Sequence, residues 1–253
     1  MPNTRVIILA GGKGTRMKSD IPKPLIPVAG EPMVTRLVRS VKESGVDEKP
    51  IVVVGAWSEA RFREALGDSV EYTVQVEILG TGHAVKAAKG AVGNAERVVV
   101  LYGDHPFIAP TIVRSLIEKA NDHPDAVIML TAKVPHFEGN YLGFVSWSRI
   151  LRDAQGNIIA DRQVKDATDE EKQIREVNPC IYSFPTAWLW ERLDRLKNEN
   201  ASKEYYLTDV IAMAMAEGKE VVTVDVDPLE VIGINSPDEL LRAEALRQGA
   251  ELS

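Results

Sequence analysis

Two short segments near the start of the chain bring together residue types suited to phosphate chemistry. The first is Leu9-Ala10-Gly11-Gly12-Lys13-Gly14-Thr15-Arg16-Met17. Glycines directly after a first strand let backbone N–H groups approach a phosphate closely, and Lys13 and Arg16 add positive charge there. The second is Ile21-Pro22-Lys23-Pro24-Leu25, which fixes a lysine between two prolines in a stiff stretch. A lysine held this way beside a phosphate loop is placed to act as a point charge on a transferring phosphate. The loop is not a P-loop, because no Gly-Lys-Ser/Thr ends it. Nor is it a dinucleotide fingerprint: the third glycine is absent, and the second strand ends in Val54-Gly55 with no acid.

Other polar residues are weaker signals when taken singly. Asp104, in Tyr102-Gly103-Asp104, reads alone as a turn cap at a strand end, and Asn235, after a short strand, reads alone as a turn residue before a helix. His83 reads as a packed or capping histidine, and His105, His123 and His136 as surface or loop residues. Asp225 and Asp227 share one strand face and read as solvated acids. No Ser-His-Asp signature and no His-Glu-x-x-His occurs.

The elements that must position these residues follow from the hydrophobic pattern. Val6-Ile7-Ile8-Leu9-Ala10 is the uninterrupted run of a buried parallel strand. A helix from Pro32 to Ser44, ended by Gly45, and the run Ile51-Val52-Val53-Val54 complete a βαβ unit. Helix 58–66, strand 70–76, helix 83–89, strand 98–102, helix 110–120 and strand 126–132 continue the alternation. It predicts an α/β fold, a Rossmann-like doubly wound, mixed but mostly parallel sheet, with ligands at the carboxyl ends of the strands. From Val134 to Phe184, strand-like pieces with turn signals predict a β-rich insertion over one sheet edge. Helices 185–197 and 206–217, strand 220–224 and a last helix from Ser236 to about Gln248 follow. The expected division is a single domain, 1–253, with a nucleotide-binding core at 1–133, a lobe and return to the sheet at 134–235, and a C-terminal helix at 236–250.

Composition narrows the function classes. The 253 residues include 45% hydrophobic and 26% charged positions, enough for a sizeable core. Thirty basic against 37 acidic residues give a net charge of -7, the wrong sign for holding nucleic acid by bulk electrostatics. Cys180 is the single cysteine, which excludes intrachain disulfides and cysteine-based zinc sites. With no membrane span or signal segment in the pattern, a cytoplasmic protein is expected.

In order along the chain, Leu-Ala-Gly-Gly-x-Gly-Thr-Arg-Met, Pro-Lys-Pro, Gln75 to Ala84, Tyr102-Gly103-Asp104, Lys165 to Asp169, Glu204 to Asp209 and Gly233-Ile234-Asn235 resemble the sugar-1-phosphate nucleotidyltransferases. Within that family they are most similar to the uridylyltransferase (pyrophosphorylase) half of the bifunctional N-acetylglucosamine-1-phosphate enzymes. The resemblance implies condensation of a sugar-1-phosphate with UTP to a UDP-sugar and pyrophosphate, with Mg²⁺ as cofactor. It implies Arg16 and Lys23 as catalytic residues. Leu9, Ala10, Gly11, Gly12, Gly14, Thr15, Gln75, Gly80, Thr81 and Gly103 would bind nucleotide. Gly143, Gln163, Asn178 and Tyr206 would face the sugar, and Asp104 and Asn235 would hold the metal. The acetyltransferase β-helix of those bifunctional enzymes is not expected within these residues, nor an inherited reason to form a trimer.

Departures from that pattern fall on the sugar side. Gln163 stands where a glutamate holds the sugar, Asn178-Pro179-Cys180 replaces Asn-Thr-Gly, and Phe144 replaces an arginine after Gly143. These departures leave open a sugar partner other than N-acetylglucosamine-1-phosphate. Alternatives are a transferase of the same fold using dTTP, CTP or GTP, and a noncatalytic nucleotide-sugar-binding module.

Overall fold

The computed structural model describes residues 2–247. The expected end of the last helix, near Gln248, falls outside them. The strands are β1 (Thr4–Leu9), β2 (Pro27–Val28), β3 (Glu31–Pro32), β4 (Ile51–Gly55), β5 (Glu71–Gln75), β6 (Arg97–Tyr102), β7 (Val127–Lys133), β8 (Arg149–Arg152), β9 (Ile158–Arg162), β10 (Glu176–Val177), β11 (Tyr182–Pro185) and β12 (Val221–Val226). The helices are α1 (Met33–Ser44), α2 (Glu59–Leu66), α3 (Thr81–Ala87), α4 (Lys89–Val92), α5 (Pro110–Asp122), α6 (Asp169–Lys172), α7 (Thr186–Leu193), α8 (Thr208–Ala216) and α9 (Pro237–Arg247).

The main sheet runs β5-β4-β1-β6-β11-β7, with β12 on the far side of β7. Every pairing in it is parallel except those of β11. Alternate residues of each strand enter opposite cores. Val6, Ile8, Val52 and Val54 pack with Leu37, Val41, Phe62 and Leu116 of α1, α2 and α5. Ile7, Leu9, Ile51 and Val53 pack with Val85, Leu189, Val210 and Ile211 of α3, α7 and α8. This covering of both faces is why the strands read as unbroken apolar runs.

Two expectations about the lobe need correction. The piece at Tyr182–Pro185 is not part of an edge insertion: β11 lies inside the sheet, antiparallel to both β6 and β7. Arg97, 3% exposed, fixes it there by donating to the Ser183 hydroxyl and carbonyl and to the carbonyls of Pro124 and Ala126. The stretch Gly139–Ser146, expected as strand-like, winds as 3-10 turns. Arg149, 1% exposed, gathers the carbonyls of Phe144, Val145, Trp147 and Lys172. A buried guanidinium collecting carbonyls satisfies backbone groups that strand pairing would otherwise use. The remaining meander, β10-β8-β9, joins the carboxyl end of β7 through β10. Among the described residues, no helix is long and apolar enough to cross a membrane.

Candidate active site

Strand register sets the carboxyl ends of β5, β4, β1 and β6 side by side, with Gly55 opposite Gln75 and Leu9 opposite both Val53 and Tyr102. Over this edge lies a cleft of about 880 Å³. Its wall includes Leu9, Ala10, Gly11, Gly12, Gly14, Thr15, Arg16, Lys23, Gln75, Gly80, Thr81 and Asp104. Residues singled out in separate segments thus face one space. Gly103 is not on the wall; its N–H donates to the Leu9 carbonyl at 2.9 Å.

The glycine loop and the proline-flanked lysine touch. Gly14 has φ of 58°, and a Cβ there would lie 2.7 Å from Lys23 Cβ. A side chain at Gly14 would therefore be strained and would also push Lys23 away. On the opposite wall, Gln75 Nε2 donates to the Gly80 carbonyl at 3.2 Å and meets His83 Nδ1 at 2.9 Å. With the amide as donor, His83 Nδ1 accepts and its proton lies on Nε2. Both amide hydrogens are thereby committed. Gln75 Oε1 is left as the acceptor, beside Gly11. The Glu204–Asp209 segment explains itself here: Tyr205 donates to the Leu79 carbonyl and accepts from Gly82 N–H, and Leu207 N–H donates to the Thr81 hydroxyl. These bonds clasp the Gly80–Thr81 turn from outside.

Four polar side chains converge at the floor. Lys23 Nζ donates to Asp104 Oδ2, and to Asn235 Oδ1 at 2.8 Å. Arg16 donates to the same Asn235 oxygen at 3.2 Å. Asp104 and Asn235, far apart in sequence, are tied by the Ile234 N–H bond to the Asp104 carbonyl. Asn235 is fixed further by its own N–H, which donates to the Glu239 carboxylate at the start of α9. It follows a 3-10 turn at Pro228–Val231, not the expected strand. Burial acts to raise the Asp104 carboxyl, but the Lys23 charge, helped by His105, outweighs it and holds the group below the usual carboxylate range. Burial pushes the His105 imidazole below its ordinary value.

The donor set can be tested against the expected metal. Asp104 and Asn235 aim two hard oxygens at one cationic point, and among the described residues no group of three or more His, Cys, Asp or Glu is placed to hold a metal ion. Two protein oxygens, with phosphate and water filling the remaining positions, suit Mg²⁺ and would not make a closed zinc or calcium cage. The residues present fit the ion.

A second cavity, of about 240 Å³, shares Tyr102 and Asp104 with the first and continues past them to Ser148, Gln163, Asn178, Pro179 and Cys180. Gln163 is exposed at its mouth. Asn178 is 2% exposed and largely committed: its Nδ2 donates to Asp161 and the Tyr182 hydroxyl, and its Oδ1 accepts from Cys180 N–H. Burial pushes the Cys180 thiol up to about 12, helped by the charge of Asp161. Tyr206 lines neither cavity, and Gly143 lines a separate small pocket against α9. Phe144 is buried, packed edge-on against Trp147 with ring centroids 4.7 Å apart. Sequence reasoning missed Trp57, which is 46% exposed and lines the larger cleft. Its position two residues past the end of a buried strand was the available signal. It also missed Trp147 and Ser148 of the smaller cavity, which no local pattern marks.

The chain is 39% identical over 244 residues to the bifunctional protein GlmU of Dechloromonas aromatica (strain RCB), covering 96% of this chain and 52% of that protein. It is 43% identical over 252 residues to the bifunctional protein GlmU of Carboxydothermus hydrogenoformans, covering 96% and 54%. The chain thus spans about half the length of these curated relatives. A crystal structure of a Bacillus anthracis protein, described as a glucose-1-phosphate thymidylyltransferase in complex with sucrose, superposes with a TM-score of 0.77 at 21% identity, covering 99% of this chain and 97% of that one. At that identity the likeness speaks for the fold. Residues 6–211 match the family described as the MobA-like NTP transferase domain, and the chain belongs to that family of nucleotidyltransferases.

Proposed function

We propose that the protein condenses UTP with a sugar-1-phosphate to give a UDP-sugar and pyrophosphate, with N-acetylglucosamine-1-phosphate or a related sugar phosphate as acceptor. The observation that carries this reading is the convergence of Arg16, Lys23, Asp104 and Asn235 where the larger cleft meets the smaller cavity. In the reaction an oxygen of the sugar phosphate attacks the α-phosphorus of UTP. The bond from that phosphorus to the bridging oxygen breaks, and pyrophosphate leaves. The nucleophile is already anionic, so no general base is required, and positioning with charge neutralisation supplies the catalysis. Lys23 and Arg16 meet the charge on the α-phosphate and the leaving group. The N–H groups of the glycine loop hold the remaining phosphates. Mg²⁺, held by Asp104 and Asn235, would supply further neutralisation of the triphosphate.

The orientation of Gln75 favours uracil over cytosine. Its Oε1 is an acceptor and its amide hydrogens are committed to Gly80 and His83. An acceptor pairs with the N3–H of uracil, whereas cytosine presents an unprotonated N3. Thymine presents the same N3–H, so dTTP is the second reading the geometry allows. Gln163, on the lining of the smaller cavity and uncharged, would read the sugar there. The deciding experiment is a pyrophosphate-release screen of UTP, dTTP, CTP and GTP against a panel of sugar-1-phosphates with Mg²⁺. Turnover with UTP and an aminosugar phosphate is expected. Release confined to CTP or GTP, or none with any pair, would refute the proposal.

A further inference from the structure

We propose that, in the nucleotide-free protein, the Lys23 ammonium occupies the cation position of the Asp104–Asn235 pair, so that a divalent cation takes the pair only by displacing it. This rests on the metal reading given above and adds an order of events to it. The two side chains expected to hold the ion are the same two to which Lys23 Nζ donates, at Asp104 Oδ2 and Asn235 Oδ1. An Mg²⁺ bound at about 2.1 Å from both oxygens would overlap the ammonium. Two positive centres at that spacing also repel strongly where little water intervenes. Little does: the side chains of Lys23 and Asp104 are 16% and 12% exposed. With the ammonium on Asp104 and Asn235, a metal shared between the same two oxygens is excluded until Lys23 leaves.

The backbone around Lys23 allows only the side chain to move. Lys23 opens a 3-10 turn between Pro22 and Pro24, both buried, and its neighbour Gly14 lies against its Cβ. The flexible four-carbon stem can swing the ammonium from the floor into the larger cleft, whose wall it already forms. A triphosphate in that cleft offers new acceptors. Phosphate and metal then exchange partners with lysine and carboxylate: the ammonium moves from Asp104 to phosphate, and the cation replaces it on Asp104 and Asn235. Each ligand frees the group the other needs, so their binding is positively coupled. Cation bound without nucleotide must instead leave a lysine stripped of its partner.

The test is Mn²⁺ binding to nucleotide-free protein, followed by electron paramagnetic resonance, which reads occupancy without turnover. Lys23→Met is expected to tighten Mn²⁺ binding by about tenfold or more relative to wild type. Lys23→Arg keeps the charge and should bind as weakly as wild type. Lys13→Met removes a charge from the same cleft without touching the pair, and should change affinity by less than about threefold. In wild type, the lysine ammonium signal followed by ¹⁵N NMR should shift along with Mg²⁺ occupancy, a readout that does not depend on the methionine variant folding. Unchanged affinity in Lys23→Met, equal tightening in Lys13→Met, or an ammonium signal indifferent to Mg²⁺ would each overturn the proposal. Should Asp104→Asn leave Mn²⁺ binding unaffected both with and without UTP, the metal assignment itself fails and the displacement with it. Asp104-dependent binding that ignores Lys23 would reject the displacement alone.

Discussion

The two cavities that meet at Tyr102 and Asp104 are built by different means. The larger is framed by contiguous segments held by backbone: the glycine loop, strand ends fixed by parallel register, and a turn clasped by the backbone of Tyr205. The smaller is made of side chains from segments that come together only when the lobe folds: 146–148, Gln163 and 178–180. A frame of backbone keeps its shape as long as glycines and register persist, whereas a pocket assembled from distant segments changes its chemistry with each substitution. The departures at Gln163, Pro179 and Phe144 all lie on the side-chain-built part or behind it.

The contrast can be broken by mutation. The largest effect is expected where the two regions share atoms: Lys23→Met and Asp104→Asn should each lower kcat by about 10²–10³-fold, with the fold retained by circular dichroism. Retention of most activity would remove both from the catalytic role. Next comes Gly14→Ala, which forces a side chain into positive φ and against Lys23, at a cost of about 1–2 kcal/mol. A fall in kcat together with a lower melting temperature is expected, and a neutral result would show that the loop is not the close-fitting cradle described. Gln75→Ala should raise the KM for UTP in line with loss of about one hydrogen bond, ~1 kcal/mol, leaving the KM for the sugar phosphate unchanged. Gln163→Glu should do the reverse, altering the ranking of sugar phosphates with UTP kinetics intact. A shift in UTP affinity would show that the two cavities are not separable. The smallest effect is chemical: a Cys180 thiol titrating at about 12 is almost wholly protonated at pH 8, so iodoacetamide should label native protein far more slowly than unfolded protein.

The same contrast explains what was legible in the sequence. The loop at 9–17, Pro-Lys-Pro and Gln75 to Thr81 are contiguous, and their function depends on local backbone, so a linear pattern carries it. Asp104 and Asn235 were ambiguous singly, because their meeting depends on the Ile234 bond to Asp104 and on the start of α9. Tyr206 was placed beside the sugar because its segment pattern matched, yet what that segment supplies to the site is the backbone of Tyr205 and Leu207. Asn178 kept its identity, but Asp161, Tyr182 and Cys180 absorb its hydrogen bonds, which a one-dimensional reading does not reveal. The position of β11 was hidden for a related reason. Its four residues look like any short apolar strand, and only the buried Arg97 and the edges of β6 and β7 decide where they go.

That placement bears on how the chain is made. β6 and β7 follow each other in sequence, joined by α5, but they do not pair with one another; β11 must enter between them. During synthesis β7 is complete at Lys133, while β11 begins only at Tyr182. At about 5–20 residues per second the outer edge of β6 and both edges of β7 wait several seconds unpaired. Unpaired strand edges rich in valine and isoleucine are templates for association with other chains. Residues 1–133 therefore do not complete the sheet: every strand that pairs with β7 is made after it, and a ribosome stalled within the lobe would leave β7 and the outer edge of β6 uncovered, the point at which chaperones would be expected to engage this protein.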